Sequence, residues 1–166
     1  MVSPELLRRY ALFAGQSHSM LKEISMISDE IEVAEGDWLF QEGEDATKFF
    51  VVLEGAISLT MYLFTNGNAQ HLSTMEPIEK GEILGWSAVV KPYRYTLGGR
   101  ASKKSKLLRI DAGPLRELMD DNPEYGYLLL KQVSEAIGER LVYKCIQLLS
   151  MVVDSEGKPL KQVTQG

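Results

Sequence analysis

The spacing of hydrophobic and polar residues divides the chain into three stretches. In residues 4–28 apolar positions recur three or four residues apart, which predicts two short helices. Gly15 would end the first, and the hydroxyl of Ser17 or Ser19 would cap the second. From about 29 to 110, short apolar runs of β type alternate with glycines, which predicts brief antiparallel strands in a sandwich or roll. The predicted fold class is therefore mainly β with flanking helices.

Turn residues refine the limits of these elements. The "TNGN" segment at 65–68 predicts a hairpin with a type I′ turn, because Asn-Gly suits the positive φ angles of that turn. In "AGPLRELMDDNP" Pro114 predicts the first turn of a short helix that ends near Asn122. A longer helix is predicted over about 123–152. We expect one domain over residues 1–152 and a polar, flexible tail over 153–166.

The predicted long helix carries a continuous apolar stripe. Its positions are three or four residues apart, namely Leu130, Val133, Ile137, Leu141, Cys145, Leu148 and Val152. A second apolar row includes Leu129, Ala136 and Leu149. The stripe could serve only to pack the helix on the roll, but a helix with two apolar faces needs more than one neighbour. This pattern favours a homodimer formed through the helix.

Composition limits the classes of partner. The chain has 166 residues, 45% of them hydrophobic, which suits one compact core. Its formal net charge of -5 argues against direct nucleic-acid binding. No stretch of about 18 uninterrupted apolar residues is present, so neither a signal peptide nor a membrane span is predicted. The single cysteine, Cys145, excludes an intramolecular disulfide and indicates a reducing compartment, so we expect a cytoplasmic location.

Residues for catalysis or metal binding are sparse. His18 and His71 are the only histidines, and they lie far apart in the sequence. No metal-ligand spacing and no Ser-His-Asp or Cys-His arrangement is visible. Cys145 lies on the apolar stripe, where we expect it to pack in a core rather than to act as a nucleophile. We therefore predict that the protein is not an enzyme and holds no metal or cofactor.

Four segments, taken together, resemble the cyclic nucleotide-binding domain family. They are "ALFAGQSHSMLKEI" before the roll, "EGDWLFQEGEDATKFFVVLEGAISL" at its start, "GEILGWSA" near its end, and the long C-terminal helix. The second segment is the most specific, because its order of glycines, acidic residues and aromatic pair is hard to obtain by chance. The resemblance covers roughly residues 10–150. It implies a double-stranded β-helix, or jelly-roll-like roll, as in catabolite activator protein and the regulatory subunits of protein kinase A.

The family's phosphate-binding cassette maps onto one segment of this sequence. The resemblance implies that an anion is held by N–H groups at the start of a short helix and closed in by an arginine. The residues that match or adjoin this pattern are Gly85, Trp86, Ser87, Ala88, Arg94, Tyr95 and Thr96. Trp86, however, replaces the family's glutamate, which accepts from the ribose 2′-hydroxyl. An indole offers only a donor, so the buried 2′-hydroxyl of an ordinary cyclic AMP or cyclic GMP would lose its acceptor.

Two functions remain open at this point. In the first, the chain is a regulatory sensor that binds a small anionic ligand, with a cyclic nucleotide as the first candidate, and moves its C-terminal helix to act on an unknown downstream protein. In the second, Trp86 fills the pocket, and the chain is a ligand-free interaction or dimerisation module. Arg94 is equally compatible with a phosphate anchor and with a solvated turn residue.

Overall fold

A computed structural model describes residues 2–65, 68–73 and 77–152. For residues 63–65, 68–73 and 147–152 it describes the backbone only. Within it the chain forms two compact units, residues 1–133 and 134–166, and each is considered by itself. The predicted turn at Asn66-Gly67 and the predicted flexible tail at 153–166 lie outside the described residues. The expected domain boundary after residue 152 stays a prediction.

Four α-helices and nine β-strands occur in the described ranges. The helices are α1 (Pro4–Leu7), α2 (His18–Met26), α3 (Ala112–Asp121) and α4 (Pro123–Val152). The strands are β1 (Ser28–Val33), β2 (Trp38–Phe40), β3 (Lys48–Glu54), β4 (Ala56–Thr65), β5 (Asn68–Ser73), β6 (Ile78–Glu79), β7 (Ile83–Leu84), β8 (Gly98–Ala101) and β9 (Ser105–Asp111). Single turns of 3₁₀ helix lie at Ala11–Phe13 and Trp86–Ala88.

The N-terminal stretch contains the two predicted helical regions, but the first of them is divided into two short elements. Ser17 caps α2 by accepting a hydrogen bond at 3.1 Å from the backbone N–H of Met20. The predicted first helix consists of α1 and the separate turn Ala11–Phe13, because Tyr10 between them is extended, with a φ of -107° and a ψ of 136°. Gly15 follows that turn in the left-handed region, with a φ of 80°.

The strands form two antiparallel sheets. One has the order β1-β9-β3-β7, and the other has the order β2-β8-β4-β5 with β6 also paired to β4. Strand β3 is buried along almost its whole length, and Phe40, Ile57 and Leu59 of the second sheet are also buried. The predicted class, a mainly β roll with helices before and after it, is confirmed.

A tight turn between β3 and β4 shows why glycine is needed there. Gly55 has a φ of 92°, and a Cβ at this position would lie 2.2 Å from Oγ of Ser105. The hydroxyl of Ser105 accepts a hydrogen bond at 3.0 Å from the N–H of Ala56. Any side chain at residue 55 would therefore displace a buried contact between β4 and β9.

Helix α4 has different environments in the two units. In the first unit Tyr125, Leu129 and Val133 are almost fully buried. In the second unit the large apolar side chains of Ile137, Leu141, Val142 and Ile146 are exposed. Cys145 is exposed as well, so the prediction that it packs in a core is wrong within this chain.

Candidate functional site

The candidate cassette, residues 85–96, connects β7 to β8 and starts at a glycine that cannot be replaced without strain. Gly85 has a φ of 74°. A Cβ there would lie 3.1 Å from the carbonyl oxygen of Lys48, 3.3 Å from the ring of Phe50 and 3.4 Å from the ring of Tyr95. Only glycine combines this backbone angle with so close an approach. The turn Trp86–Ala88 is thereby placed directly against the roll.

The turn itself is short and only partly closed by its own hydrogen bonds. The N–H of Ala88 donates to the carbonyl of Gly85 at 2.9 Å, and the N–H of Val89 donates to that of Trp86 at 2.9 Å. Ala88 is fully buried, whereas Trp86 and Ser87 are half-buried. Neither the N–H nor the hydroxyl of Ser87 has a hydrogen-bond partner within the described part of the chain. Ser87 therefore offers two donors to an acceptor at the start of the turn.

At the other end of the cassette, the guanidinium of Arg94 points towards the loop after β2. Its Nε and Nη2 both donate to the carbonyl of Gly43, at 3.0 Å and 2.5 Å, and Oδ1 of Asp45 lies 3.7 Å from Nε. The side chain of Arg94 is 62% exposed and that of Asp45 is 84% exposed. Such an exposed pair contributes only about 0–1 kcal/mol. The ion pair with Asp45 is thus weak, and the arginine is positioned at the rim of the roll mainly by the carbonyl of Gly43.

Tyr95, the next residue, lies in the core instead. Its hydroxyl donates to the carbonyl of Lys48 at 2.7 Å and accepts from the N–H of Lys48 at 3.1 Å. The ring stacks on Phe40 with 4.0 Å between centroids, and Phe40 in turn stacks on Phe50 at 5.7 Å. Burial raises the pKa of Tyr95 to about 12. Three aromatic rings therefore fill the space beneath Gly85, and both hydrogen-bonding functions of the Tyr95 hydroxyl are already used.

A side chain from α3 contacts two parts of the cassette. Nη1 of Arg116 donates to the carbonyl of Ala88 at 2.7 Å. The guanidinium carbon of Arg116 also lies 4.4 Å from the ring centroid of Tyr93, a residue with a left-handed φ of 61°. A hydrogen bond from a charged donor and a cation–π contact both act here. Movement of the cassette would consequently pull directly on α3.

The structure brings together only part of the residue set predicted from the sequence. Gly85, Trp86, Ser87 and Ala88 form one turn, and Tyr95 packs beneath Gly85. The remaining two are exposed, Thr96 at the surface and Arg94 beside Asp45. Sequence reasoning missed Arg116, because nothing in the helical pattern of "AGPLRELMDD" marks one arginine as a partner of a distant loop.

Other kinds of site find no support in the part of the chain that the structure describes. Within residues 2–65, 68–73 and 77–152 there is no group of three or more His, Cys, Asp or Glu side chains that could hold a metal ion. Among these same residues, no helix is both long enough and apolar enough to cross a membrane.

Comparisons with known proteins find solved structures with a similar fold. A crystal structure of a putative cyclic nucleotide-binding protein from Geobacter metallireducens is 33% identical, with a TM-score of 0.73, over 85% of this chain and 99% of that one. The N-terminal domain of a transcriptional regulator from Streptomyces coelicolor is 28% identical, with a TM-score of 0.59, over 81% of this chain and 94% of that one.

A curated relative is much longer than this chain. It is a putative potassium channel protein from Rhodopseudomonas palustris, 23% identical over 141 residues, which are 85% of this chain but 33% of the channel protein. The chain therefore spans about a third of the length of the curated relative that it matches. The family model described as cyclic nucleotide-binding domain matches residues 30–122, more than half of the chain and including the whole cassette. On this match, supported by the two similar structures, the chain belongs to the cyclic nucleotide-binding domain family.

Proposed function

We propose that this chain is a regulatory sensor domain whose cassette binds a small anionic ligand, with a cyclic nucleotide as the first candidate. The ligand's anionic group would accept hydrogen bonds from the N–H groups at the start of the turn Trp86–Ala88 and from Arg94. The domain would act by binding rather than by catalysis, without a metal or cofactor, and in the cytoplasm. Family membership supports the regulatory role, and the geometry of the cassette supports the choice of ligand class.

One observation carries the proposal, namely the donors that the cassette leaves available. Ser87 has an N–H and a hydroxyl without partners within the described residues, and Arg94 is held only by one carbonyl and one exposed carboxylate. Nε of Arg94 and Oδ1 of Asp45 are 3.7 Å apart, beyond hydrogen-bond distance, whereas a phosphate could accept a charge-assisted hydrogen bond from the same guanidinium. Arg94 can therefore exchange Asp45 for an anionic ligand at little cost.

The residue at position 86 sets the expected selectivity. Trp86 is half-buried and stands where the family has a glutamate. A 2′-hydroxyl that is buried against an indole loses an acceptor, which weakens binding by roughly 1–3 kcal/mol. We therefore propose that the ligand is recognised through its phosphate and its base or other apolar part, and not through its ribose 2′-hydroxyl.

Arg116 provides the route from the cassette to the C-terminal helices. It contacts both Ala88 and Tyr93 from α3, which is followed directly by α4. A ligand that shifts the turn Trp86–Ala88 changes these contacts, and only such a differential contact lets a ligand shift a conformational equilibrium.

A second candidate function rests on α4. Ile137 and Leu141 form one exposed pair four residues apart, and Val142 and Ile146 form another, so each pair shares a face of the helix and the two faces differ. Large apolar side chains that are exposed on two faces of one helix are unfavourable in water. In this alternative the chain is a ligand-free module that forms a homodimer through α4, with Trp86 closing the cassette.

A thermal-unfolding screen tests the ligand. The protein and an Arg94→Ala variant are heated with millimolar cyclic AMP, cyclic GMP, their 2′-deoxy forms, and linear nucleotides. A ligand that binds only the native state raises its stability by about 2.7 kcal/mol at one hundred times its Kd. We expect a shift in the unmutated protein that is absent in Arg94→Ala, and nearly equal shifts for the ribose and 2′-deoxy forms. A Trp86→Glu variant should favour the ribose form.

The thermal screen, followed by sedimentation, decides between the two candidate functions. If no nucleotide shifts the unmutated protein, the sensor proposal fails. In that case sedimentation of the protein and of Leu141→Glu tests the module, with Met26→Glu, another exposed apolar residue, as the matched control. A dimer that is lost only in Leu141→Glu supports the module. A monomer in all three samples removes that alternative too.

A further inference from the structure

A hollow on the outer face of the second sheet arises from one glycine. Gly98 and Gly99 are consecutive in β8 and face opposite sides of the sheet. A Cβ at Gly99 would lie 2.7 Å from the ring of Phe40, in the aromatic core. A Cβ at Gly98 would lie 2.8 Å from Oγ1 of Thr60 and 2.8 Å from the indole of Trp38, on the other face. The missing side chain lets Trp38 lie over the strand and leaves space beside it.

The register explains why Trp38 lies on this outer face while nearby Phe40 faces the core. The pairing of β2 with β8 shifts between Trp38 and Phe40, so the two side chains do not share a face. The space beside Trp38 is a groove of about 380 Å³. Its side chains include one carboxylate, one guanidinium, one indole and three hydroxyls, from Glu35, Arg100, Trp38, Ser58, Thr60 and Ser102. None of them belongs to the cassette.

Arg100 is held in place while most of its donors stay available. Its Nε donates to the carbonyl of Gly36 at 2.7 Å, and its guanidinium carbon lies 5.6 Å from the ring centroid of Trp38. Within the described residues its two terminal nitrogens have no hydrogen-bond or ion-pair partner, and the residue is exposed. A guanidinium oriented in this way is suited to bidentate binding of a phosphate or carboxylate.

Thr60 gives an independent sign of a ligand. It lines the groove, is 7% exposed, and its Oγ1 has no hydrogen-bond partner among the side chains that the structure describes. A buried hydroxyl without a partner is rare in folded proteins and calls for an explanation such as a bound water, ion or ligand. A polar group from a molecule in the groove would satisfy it.

We infer that this groove binds a small anionic carbohydrate, such as a sugar phosphate or a sugar acid. The anionic group would pair with Arg100, and the sugar hydroxyls would pair with Ser58, Thr60, Ser102 and the Glu35 carboxylate, which accepts but does not donate. The C–H face of the sugar would pack on the apolar part of Trp38. The groove volume lies within the range of small-molecule sites. This site does not depend on a ligand in the cassette.

Titration calorimetry with four probes tests the site: glucose 6-phosphate, glucuronate, glucose and inorganic phosphate. We expect binding of glucose 6-phosphate or glucuronate, whichever anion the site prefers, and at least about tenfold weaker binding of glucose and of phosphate alone. Binding of phosphate as tightly as glucose 6-phosphate would overturn the carbohydrate assignment. Lack of binding by both anionic sugars would overturn the site.

Three variants locate the binding. Arg100→Gln should weaken the preferred probe by about tenfold or more, whereas Lys103→Gln, a nearby exposed cation outside the groove lining, should change it less than twofold. Thr60→Val removes the hydroxyl but keeps the shape, so it should weaken binding without lowering the unfolding temperature. Arg94→Ala should leave binding unchanged, which separates this site from the cassette. Equal affinity in Arg100→Gln and the unmutated protein would contradict the inference.

Discussion

The sheet β1-β9-β3-β7 and the cassette that follows it are stabilised in different ways. In the sheet, pairs directly opposite each other in the strand register also form ion pairs: Asp29 with Arg109 at 2.6 Å, and Lys48 with Asp111. The side chain of Arg109 holds the pKa of Asp29 below its usual range. The cassette lacks such a ladder of ion pairs. It is held by Gly85, by the side chains of Tyr95 and Arg116, and by three backbone hydrogen bonds between residues 93–95 and the loop 43–46.

This difference has a consequence for function. Loss of one ion pair from the sheet leaves its backbone ladder and its other pairs in place, and an exposed pair is worth about 0–1 kcal/mol. In the cassette, by contrast, the backbone of residues 89–92 makes hydrogen bonds only to other residues of the cassette among those that the structure describes, apart from any that side chains supply. Regions with few contacts open at a lower free energy than core strands do. We therefore expect the cassette to be the part of the roll that the proposed ligand shifts.

The largest expected effect concerns Tyr95. Tyr95→Ala should lower the free energy of unfolding by about 3–5 kcal/mol, because it leaves a cavity between Phe40, Phe50 and Gly85. Tyr95→Phe keeps the ring but removes both hydrogen bonds to Lys48, and should cost about 1–3 kcal/mol. Urea unfolding measures both. Tyr127→Ala, at a tyrosine that is 66% exposed, is the matched control and should change stability by less than about 0.5 kcal/mol.

A smaller effect is expected for Arg116. Arg116→Ala removes the hydrogen bond to Ala88 and the contact with Tyr93, and should cost about 1–2 kcal/mol in urea unfolding. Arg116→Lys keeps the charge but cannot reproduce the planar contact with the ring, so it should recover less than half of the loss. Full recovery in the lysine variant would show that charge alone, and not the geometry, holds the cassette to α3.

Alkaline pH should weaken the cassette in a way that depends on Tyr95. Its pKa is raised from 10.0 to about 12, so the folded state keeps a proton that the unfolded state has lost. The contribution of Tyr95 to the free energy of unfolding is fully present below pH 10, and it is lost as the pH rises to about 12. Tyr95→Phe should lack this part of the alkaline loss. The buried Tyr125, whose pKa is also raised, acts in the same direction and should remain in that variant.

The sequence predicts the framework better than it predicts the cassette. Glycines such as Gly55 mark turns because their φ angle is a local requirement, and the helical period of α4 is local too. The directions of Arg94 and Tyr95 depend on distant residues, Gly43 for one and Lys48 with Phe40 for the other. In an extended segment neighbouring side chains point to opposite sides. This alternation within "YRYT" is the one sequence signal that could have predicted a buried Tyr95 beside an exposed Arg94.

Arg116 is a second residue whose contacts the sequence does not predict. Its helix was predicted with nearly the observed bounds, yet its partners lie on a loop more than twenty residues earlier in the chain. No spacing rule connects a helix residue to a carbonyl in such a loop. Contacts of this kind follow from packing of the finished fold, and therefore appear only in the structure.

Amide hydrogen exchange of the cassette and α3, with and without the nucleotide that gives the largest thermal shift, tests the central claim most directly. We predict slower exchange in residues 85–96 and in α3 when the nucleotide is present. Both changes should disappear in Arg94→Ala, whereas Arg116→Ala should keep the change in the cassette and lose the change in α3. Unaltered exchange across residues 85–96 at millimolar nucleotide, in the unmutated protein, would contradict the account.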